Sequence, residues 1–196
     1  MSELERVEWD RRYAEGDYRP RRDPSPFLEA WLGTVTPGLA LDVACGTGRN
    51  ALRLAEAGFD VRAVDISAVA TDMGRKEAVA RGLSLDWEVA DLDRLDLTDR
   101  SFQLITVFRY VNRPLWPRLV AALAPGGWLL VEHHLQTHLS VDGPSTPDFR
   151  LAPQELLAAF SDLRIVSYME GPEEGDREGS TFVIARLAAC NGDPGW

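Results

Sequence analysis

A chain of 196 residues has the length for one domain with a well-buried core. Its 21 Lys+Arg against 31 Asp+Glu give a net charge of −10 with no basic block, which excludes a surface that tracks nucleic-acid phosphates. Cys45 and Cys190 are too few for a disulfide framework and fit a reducing cytosol, and no signal peptide or membrane span is visible.

The segments alternate in an α/β manner. Residues 3–15 read as a short charged helix. Trp9 and Tyr13 are four apart on one of its faces, which either packs on the core or closes over a ligand. Tyr18–Pro26 is an Arg- and Pro-rich loop. A helix begins at Ser25, with Pro26 suited to its first turn, and runs to Leu32. Leu39–Ala44 is a first strand, apolar on both faces as buried parallel strands are. A helix follows over Arg49–Ala57 and a second strand over Val61–Ile66. Ser67 caps a helix that reaches Arg81. Leu83–Val89 alternates Leu83, Leu85, Trp87 and Val89 as a third strand, and Phe102–Phe108 is the fourth. Pro114–Leu123 reads as a helix ended by Pro125-Gly126-Gly127, with Trp128–Glu132 the fifth strand. His133–Phe149 has no period and carries Gly143, Pro144 and Pro147; a loop that long is usually a lid or a binding element. Pro153–Phe160 is a helix, and Leu163–Tyr168 and Ser180–Leu187 are closing strands joined by an acidic Gly/Pro loop. The tail Asn191–Trp196 reads as frayed.

The chemistry concentrates at strand ends. Between the first strand and its helix stands Leu41–Asn50, LDVACGTGRN. Gly46 and Gly48 allow a sharp turn and a close backbone approach to a ligand. The helix that begins at Arg49 and Asn50 offers free N–H groups. Asp65 ends the second strand 17 residues beyond Gly48, close to the spacing at which an acid meets a ribose diol. The third strand ends in Ala90-Asp91-Leu92, so three successive strands finish in or beside an Asp. Ligands of open α/β sheets sit outside the carboxyl ends of strands, where one ligand could touch all three acids. Phe108-Arg109-Tyr110 and His133-His134 follow the fourth and fifth strands at the same edge. An arginine there could orient an anion, and a histidine could take a proton from a hydroxyl or thiol near pH 6–7. The histidines lack a partnering ligand framework, so no metal is expected.

These motifs resemble the class I S-adenosylmethionine-dependent methyltransferases. The resemblance runs from about Trp9 to Arg186: LDVACGTGRN looks like the first motif, AVDIS (Ala63–Ser67) like the acidic end of the second strand, and VADLD (Val89–Asp93) like the adenine-contacting motif. Within that superfamily, Trp9–Tyr13 with Gly16-Asp17-Tyr18, and Pro147–Leu156, look similar to blocks of the tellurite-resistance and thiopurine-methyltransferase type. The resemblance implies a seven-stranded sheet of order 3-2-1-4-5-7-6 with the seventh strand antiparallel. It implies that Asp42 lies near the cofactor's amino end, Asp65 on the ribose, and Asp91 beside Leu92 on the adenine. It extends cofactor contact to Trp9, Tyr13, Ala44, Gly46, Gly48, Arg49, Asn50, Ile66 and Phe108. Arg109, Tyr110, His133 and His134 are the catalytic candidates at the acceptor end. An N/D-PP-Y/F motif is absent after the fourth strand, which argues against adenine-N6 or glutamine-amide chemistry.

The expectation is one cytoplasmic domain that methylates a small molecule with S-adenosylmethionine. It divides into a helical cap (1–35), a cofactor core (36–132) and an acceptor-side lid with closing strands (133–190). Nucleic-acid and membrane partners are not expected, and the chain would be a monomer or homodimer. Gly46-Thr47-Gly48-Arg49-Asn50-Ala51 also satisfies the loose dinucleotide form, which keeps an NAD-dependent oxidoreductase open; a non-catalytic S-adenosylmethionine-binding regulator is the other alternative.

Overall fold

The computed structural model describes residues 3–98, 100–174 and 180–195. Its strands are β1 (Leu39–Val43), β2 (Asp60–Asp65), β3 (Asp86–Val89), β4 (Phe102–Phe108), β5 (Leu123–His134), β6 (Arg164–Glu174) and β7 (Thr181–Cys190). They form one sheet of order β3-β2-β1-β4-β5-β7-β6. Pairing is parallel from β3 through β5, while β7 runs antiparallel to both β5 and β6. This is the topology that the resemblance implied.

Helices α1 (Glu3–Glu15), α2 (Pro26–Leu32), α3 (Arg49–Glu56), α4 (Ala68–Arg81), α5 (Trp116–Ala121) and α6 (Glu155–Ala159) complete the architecture. Alternation along the strands divides the core into two layers. On one face Leu41, Val43, Ile105, Val107, Leu129 and Val131 pack with Leu119 and Phe160. On the other, Ala40, Leu104, Trp128 and Leu130 pack with Leu28, Ala51 and Leu54. Each such large side chain contributes about 1.5–3 kcal/mol by leaving water. Asp42 and Glu132 fall on the second face by the same alternation, at the carboxyl edge where the helices leave room.

Local signals act where they were read. Ser25 Oγ accepts from Phe27 N at the start of α2, and Ser67 Oγ accepts from Ala70 N at the start of α4. Several expectations change. The third strand, read over Leu83–Val89, begins only at Asp86, and the fifth runs past Glu132 to take in His133 and His134. The helix read over Pro114–Leu123 is a 3-10 turn at Arg113–Leu115 followed by α5, and β5 already begins at Leu123. Pro125-Gly126-Gly127 therefore lies inside a strand, at an irregularity in β4–β5 register between Phe102 and Leu104. Gly127 is required there, since a Cβ would stand 2.6 Å from Phe102 O. The closing strands run longer than their apolar cores, because β6 and β7 pair out to Glu174 and Thr181; residues 175–179 of their connection lie outside the described residues. The tail is anchored at its root, where Asn191 Nδ2 donates to Leu123 O and Ala124 O at 3.1 Å.

One element differs in kind. No residue of α1 is buried. It is fastened by Asp10, whose Oδ1 accepts from Ser67 Oγ (2.7 Å) and Val69 N (3.1 Å) at the start of α4.

Candidate active site

A groove of about 1750 Å³ opens at the carboxyl edge of the sheet. A pocket for one small ligand spans roughly 300–1,000 Å³, so this groove has room for two molecules side by side. Fourteen of the seventeen residues expected at the site line it: Trp9, Tyr13, Asp42, Ala44, Gly46, Arg49, Asn50, Asp65, Ile66, Phe108, Arg109, Tyr110, His133 and His134.

Gly48, Asp91 and Leu92 do not line the groove. Gly48 starts α3 at φ 79°, and a Cβ there would lie 2.2 Å from the Trp87 ring, so its task is packing beneath the turn. Leu92 is fully buried in the core, because the chain turns inward after β3 and drives this side chain beneath the sheet. Asp91 lies in a neighbouring recess that it shares with Ile66, Ala90, Glu3 and Arg6; its Oδ1 accepts from Asp93 N at 3.0 Å. Ile66 borders both spaces.

The carboxylates at the glycine turn are held by neighbouring backbone and hydroxyl donors. Asp65 Oδ2 accepts from Gly46 N at 2.8 Å and Oδ1 from Ser67 N at 2.9 Å. Each oxygen keeps a second lone pair for a hydroxyl donor. Burial raises the Asp65 pKa, and the backbone N–H groups of Ser67, Gly46 and Ile66 oppose that shift. Asp42 is 2% exposed. Its Oδ1 accepts from Thr106 Oγ1 at 2.7 Å, while its buried Oδ2 has no partner. Burial pushes this carboxyl up to about 6. Asn50 is partly committed to structure, since its Oδ1 accepts from Ser25 N at 2.9 Å. Tyr13 stands over the turn; a Cβ on Gly46 would meet its hydroxyl at 2.8 Å. Tyr13 packs in an aromatic trio with Trp9 and Tyr18, with ring centroids 5.3–5.9 Å apart.

The far end of the groove is basic. Arg109 follows β4 at φ 62°, a left-handed conformation that is uncommon for a residue with a Cβ. Its Nε donates to Glu132 Oε1 at 3.1 Å. Glu132 is 1% exposed, and its other oxygen accepts from Arg186 Nε at 2.7 Å. Arg186 also donates to both oxygens of Glu173. Tyr110 lines the wall, with its hydroxyl accepting from Asn112 Nδ2 at 3.0 Å.

Successive residues of a strand point to opposite faces, and this separates the histidines. His134 sits with Glu132 on the second face, its Nε2 3.2 Å from Arg109 Nη1 and its ring against Phe182. His133 faces the other way, and its Nε2 stands 2.7 Å from Phe149 O. That bond assigns the proton to Nε2 and leaves Nδ1 as the buried, unpartnered acceptor. Burial lowers His133 to about 4, and burial together with Arg109 lowers His134 to about 2. A titration near pH 6–7, expected of a histidine base, is therefore displaced below that window. Among the described residues no group of three or more His, Cys, Asp or Glu is placed to hold a metal ion.

Several participants escaped the sequence. Thr106 supports Asp42 through the β1–β4 register, which pairs the two residues. Glu132 carried a readable signal, an acid ending a buried apolar run, but its partners Arg109 and Arg186 come from other strands. Arg21 lies in a loop without readable pattern, and Phe182 in a strand whose register is set by pairing. The loop after β5 is a fastened wall: Arg150 donates to Pro144 O, Leu135 O and Asp142 O, and Arg113 to Asp148 O and Arg150 O.

The glycine turn, the acid ending β2 and the groove outside the strand ends define a doubly wound α/β protein with a nucleotide-sized site at its carboxyl edge. Residues 40–127 match a family model described as a methyltransferase domain. A stretch of 145 residues is 32% identical to hemagglutinin 1 of Eikenella corrodens, covering 70% of this chain and 47% of that protein. The ubiquinone biosynthesis O-methyltransferase of Nitrosococcus oceani is 28% identical over 128 residues, 61% of this chain and 53% of that one. Among solved structures, TehB from Haemophilus influenzae superposes with a TM-score of 0.75 at 19% identity, over 93% of this chain and 66% of that one, a likeness of fold. The chain spans about half the length of the relatives it matches in sequence. Residues 40–127 thus match a methyltransferase-domain model, and the three ordered motifs and the sheet order are similar to those of class I S-adenosylmethionine-dependent methyltransferases.

The cofactor of the methyltransferases that this chain resembles is S-adenosylmethionine, and the residues present fit it. The unpartnered, buried Oδ2 of Asp42 matches an ammonium group. The spare lone pairs of Asp65 match a ribose diol.

Proposed function

We propose that this protein transfers the methyl group of S-adenosylmethionine to a small-molecule acceptor bound at the arginine-lined end of the groove. The observation that carries the reading is Asp42, a buried carboxylate with one unpartnered oxygen beside the glycine turn. A cationic ammonium satisfies it, whereas the pyrophosphate of a dinucleotide placed on that turn would be repelled. This favours S-adenosylmethionine over NAD.

In this reading Asp65 holds the ribose hydroxyls, Ile66 and Asp91 border the adenine, and Trp9 and Tyr13 cover the cofactor's edge. The cofactor, when bound, supplies a methyl group already activated on a sulfonium. The chain's part is alignment and exclusion of water. Phe108 and the segment around Arg109 shape the meeting point, and Tyr110 forms the wall beside them. His133 Nδ1 can accept a hydrogen bond from the acceptor. Its low basicity supports an acceptor that ionises by itself or attacks through a lone pair.

The domain division at residues 35/36 and 132/133, the cytoplasmic location, a monomeric or homodimeric state and the lack of a nucleic-acid partner are part of the same proposal. Among the described residues no helix is long and apolar enough to cross a membrane. Calorimetry tests the cofactor: S-adenosylhomocysteine should bind in the micromolar range, on the order of −8 kcal/mol, and NAD far more weakly. NAD binding without a response to S-adenosylhomocysteine overturns the proposal. Release of S-adenosylhomocysteine from S-adenosylmethionine in an acceptor library separates the enzyme from a non-catalytic regulator.

A further inference from the structure

We propose that Thr106 is a positioning residue for the cofactor: its hydroxyl holds one oxygen of Asp42 and so turns the other toward the cofactor's ammonium group. This rests on the methyltransferase reading and adds to it a residue that touches no ligand. Thr106 is fully buried in β4 and does not line the groove.

The residue type is the first clue. Thr106 stands between Ile105 and Val107 in a strand whose buried positions are otherwise apolar. A valine would fill the same volume, and a buried hydroxyl is costly unless it is hydrogen-bonded. The β1–β4 register pairs Thr106 with Asp42. Thr106 Oγ1 lies 2.7 Å from Asp42 Oδ1 and 3.3 Å from Leu41 O. A hydroxyl has one proton to give, and the nearer, ionised acceptor takes it. With Oδ1 held in this way, Oδ2 is the buried oxygen left without a partner.

The same bond sets how readily Asp42 carries its charge. Burial raises this carboxyl to about 6, and Thr106 is the strongest influence opposing burial. Arg49 and the Ala51 N–H, both of α3, act with Thr106, while Asp65 of β2 acts against it. Cys45 in the turn keeps its proton, because burial raises its pKa well above the ordinary thiol range. Glu132 of β5 acts on Arg49. A carboxyl that titrates near 6 is ionised at neutral pH by a margin of about one pH unit. One charge-assisted hydrogen bond is of that size, so its loss brings the midpoint to about neutrality. A protonated carboxyl offers a donor where the ammonium group needs an acceptor.

The test compares Thr106→Val, which removes the hydroxyl at nearly constant volume, with Thr106→Ser, which keeps it. Two quantities are followed from pH 5.5 to 9: the carbon-13 resonance of the Asp42 carboxyl in the protein without ligand, and S-adenosylhomocysteine affinity by calorimetry. In Thr106→Val the carboxyl should titrate about one pH unit higher than in the wild type. Affinity should fall by a factor approaching about tenfold below pH 6 and return close to the wild-type value above pH 8. Thr106→Ser should restore both curves, and in an Asp42→Asn background Thr106→Val should have no pH-dependent effect. If Thr106→Val does not fold, Thr106→Cys, a weaker donor, should also raise the titration. An unshifted carboxyl, an equal loss of affinity at every pH, or a serine variant that behaves like valine overturns the proposal. A wild-type protein that ignores S-adenosylhomocysteine defeats the methyltransferase reading instead, and the carboxyl titration without ligand still reports on the link between Thr106 and Asp42.

Discussion

The two ends of the groove are built by opposite means. At the cofactor end the polar side chains are acids, Asp42 and Asp65, and their partners are backbone N–H groups and one hydroxyl. At the acceptor end they are arginines, and Glu132 and Glu173 hold Arg109 and Arg186 from neighbouring strands. One end is made by a strand, a turn and the next strand's last residue. The other is assembled from a loop, α3, β4, β5, β6 and β7. The first can be specified by spacing, whereas the second depends on register and long-range pairing.

The largest expected effect breaks the acceptor end. Glu132→Ala leaves two partly buried guanidinium groups without their shared carboxylate and should cost about 3–5 kcal/mol in urea unfolding. Glu132→Gln should cost less, since the amide oxygen still accepts one hydrogen bond. A loss within experimental error for Glu132→Ala would show that water already screens the network.

Asp65→Ala breaks the cofactor end. Loss of charge-assisted bonds to the ribose should weaken S-adenosylhomocysteine binding by about tenfold or more, or roughly 1.5–3 kcal/mol. The structure adds a cost that spacing alone does not show. Gly46 N and Ser67 N lose their acceptor, so the melting temperature falls as well. Asp65→Asn, which keeps an acceptor oxygen, should retain more stability than affinity. Unchanged affinity in a folded Asp65→Asn protein would remove Asp65 from the ribose site.

Asp42 sharpens the comparison through pH. Its folded-state pKa is raised to about 6, so the fold favours the protonated form. That contribution to stability is full below the ordinary carboxylate range and is lost as pH rises through 6. Cofactor affinity runs the other way, because an ammonium prefers the ionised carboxylate. Binding of S-adenosylhomocysteine should weaken below pH 6, approaching about tenfold per pH unit. Asp42→Asn should bind more weakly at neutral pH and lose this slope; a slope that survives in the variant places the titrating group elsewhere.

The smallest effect on stability is expected from removing residues 1–18. Since α1 buries no residue, its loss should cost about 1 kcal/mol, mainly the bond from Val69 N to Asp10 at the start of α4. Cofactor affinity should fall more than melting temperature, because Trp9 and Tyr13 leave the turn uncovered. Normal affinity with poor stability would make α1 a packing element.

The sequence alone determined the glycine turn and the acids near it, because each lies within a local pattern; the sheet order came from the resemblance of those motifs to a known family. Apolar runs fix buried parallel strands, a positive φ at Gly46 and Gly48 needs residues without a Cβ, and Ser67 caps the helix it begins. Longer reach failed even within that end: Gly48 proved to be packing space for Trp87, and Leu92 turned into the core. Only the tertiary structure decided the acceptor end. Strand alternation set His133 and His134 on opposite faces, burial held both neutral, and pairing brought Arg109, Glu132 and Arg186 together. Phe182 meets Arg21 for the same reason: β7 is the antiparallel insertion that returns the chain's last strand beside β5. Arg109 and Arg186, far apart in the chain, meet on Glu132 through strand register, and no local spacing encodes that.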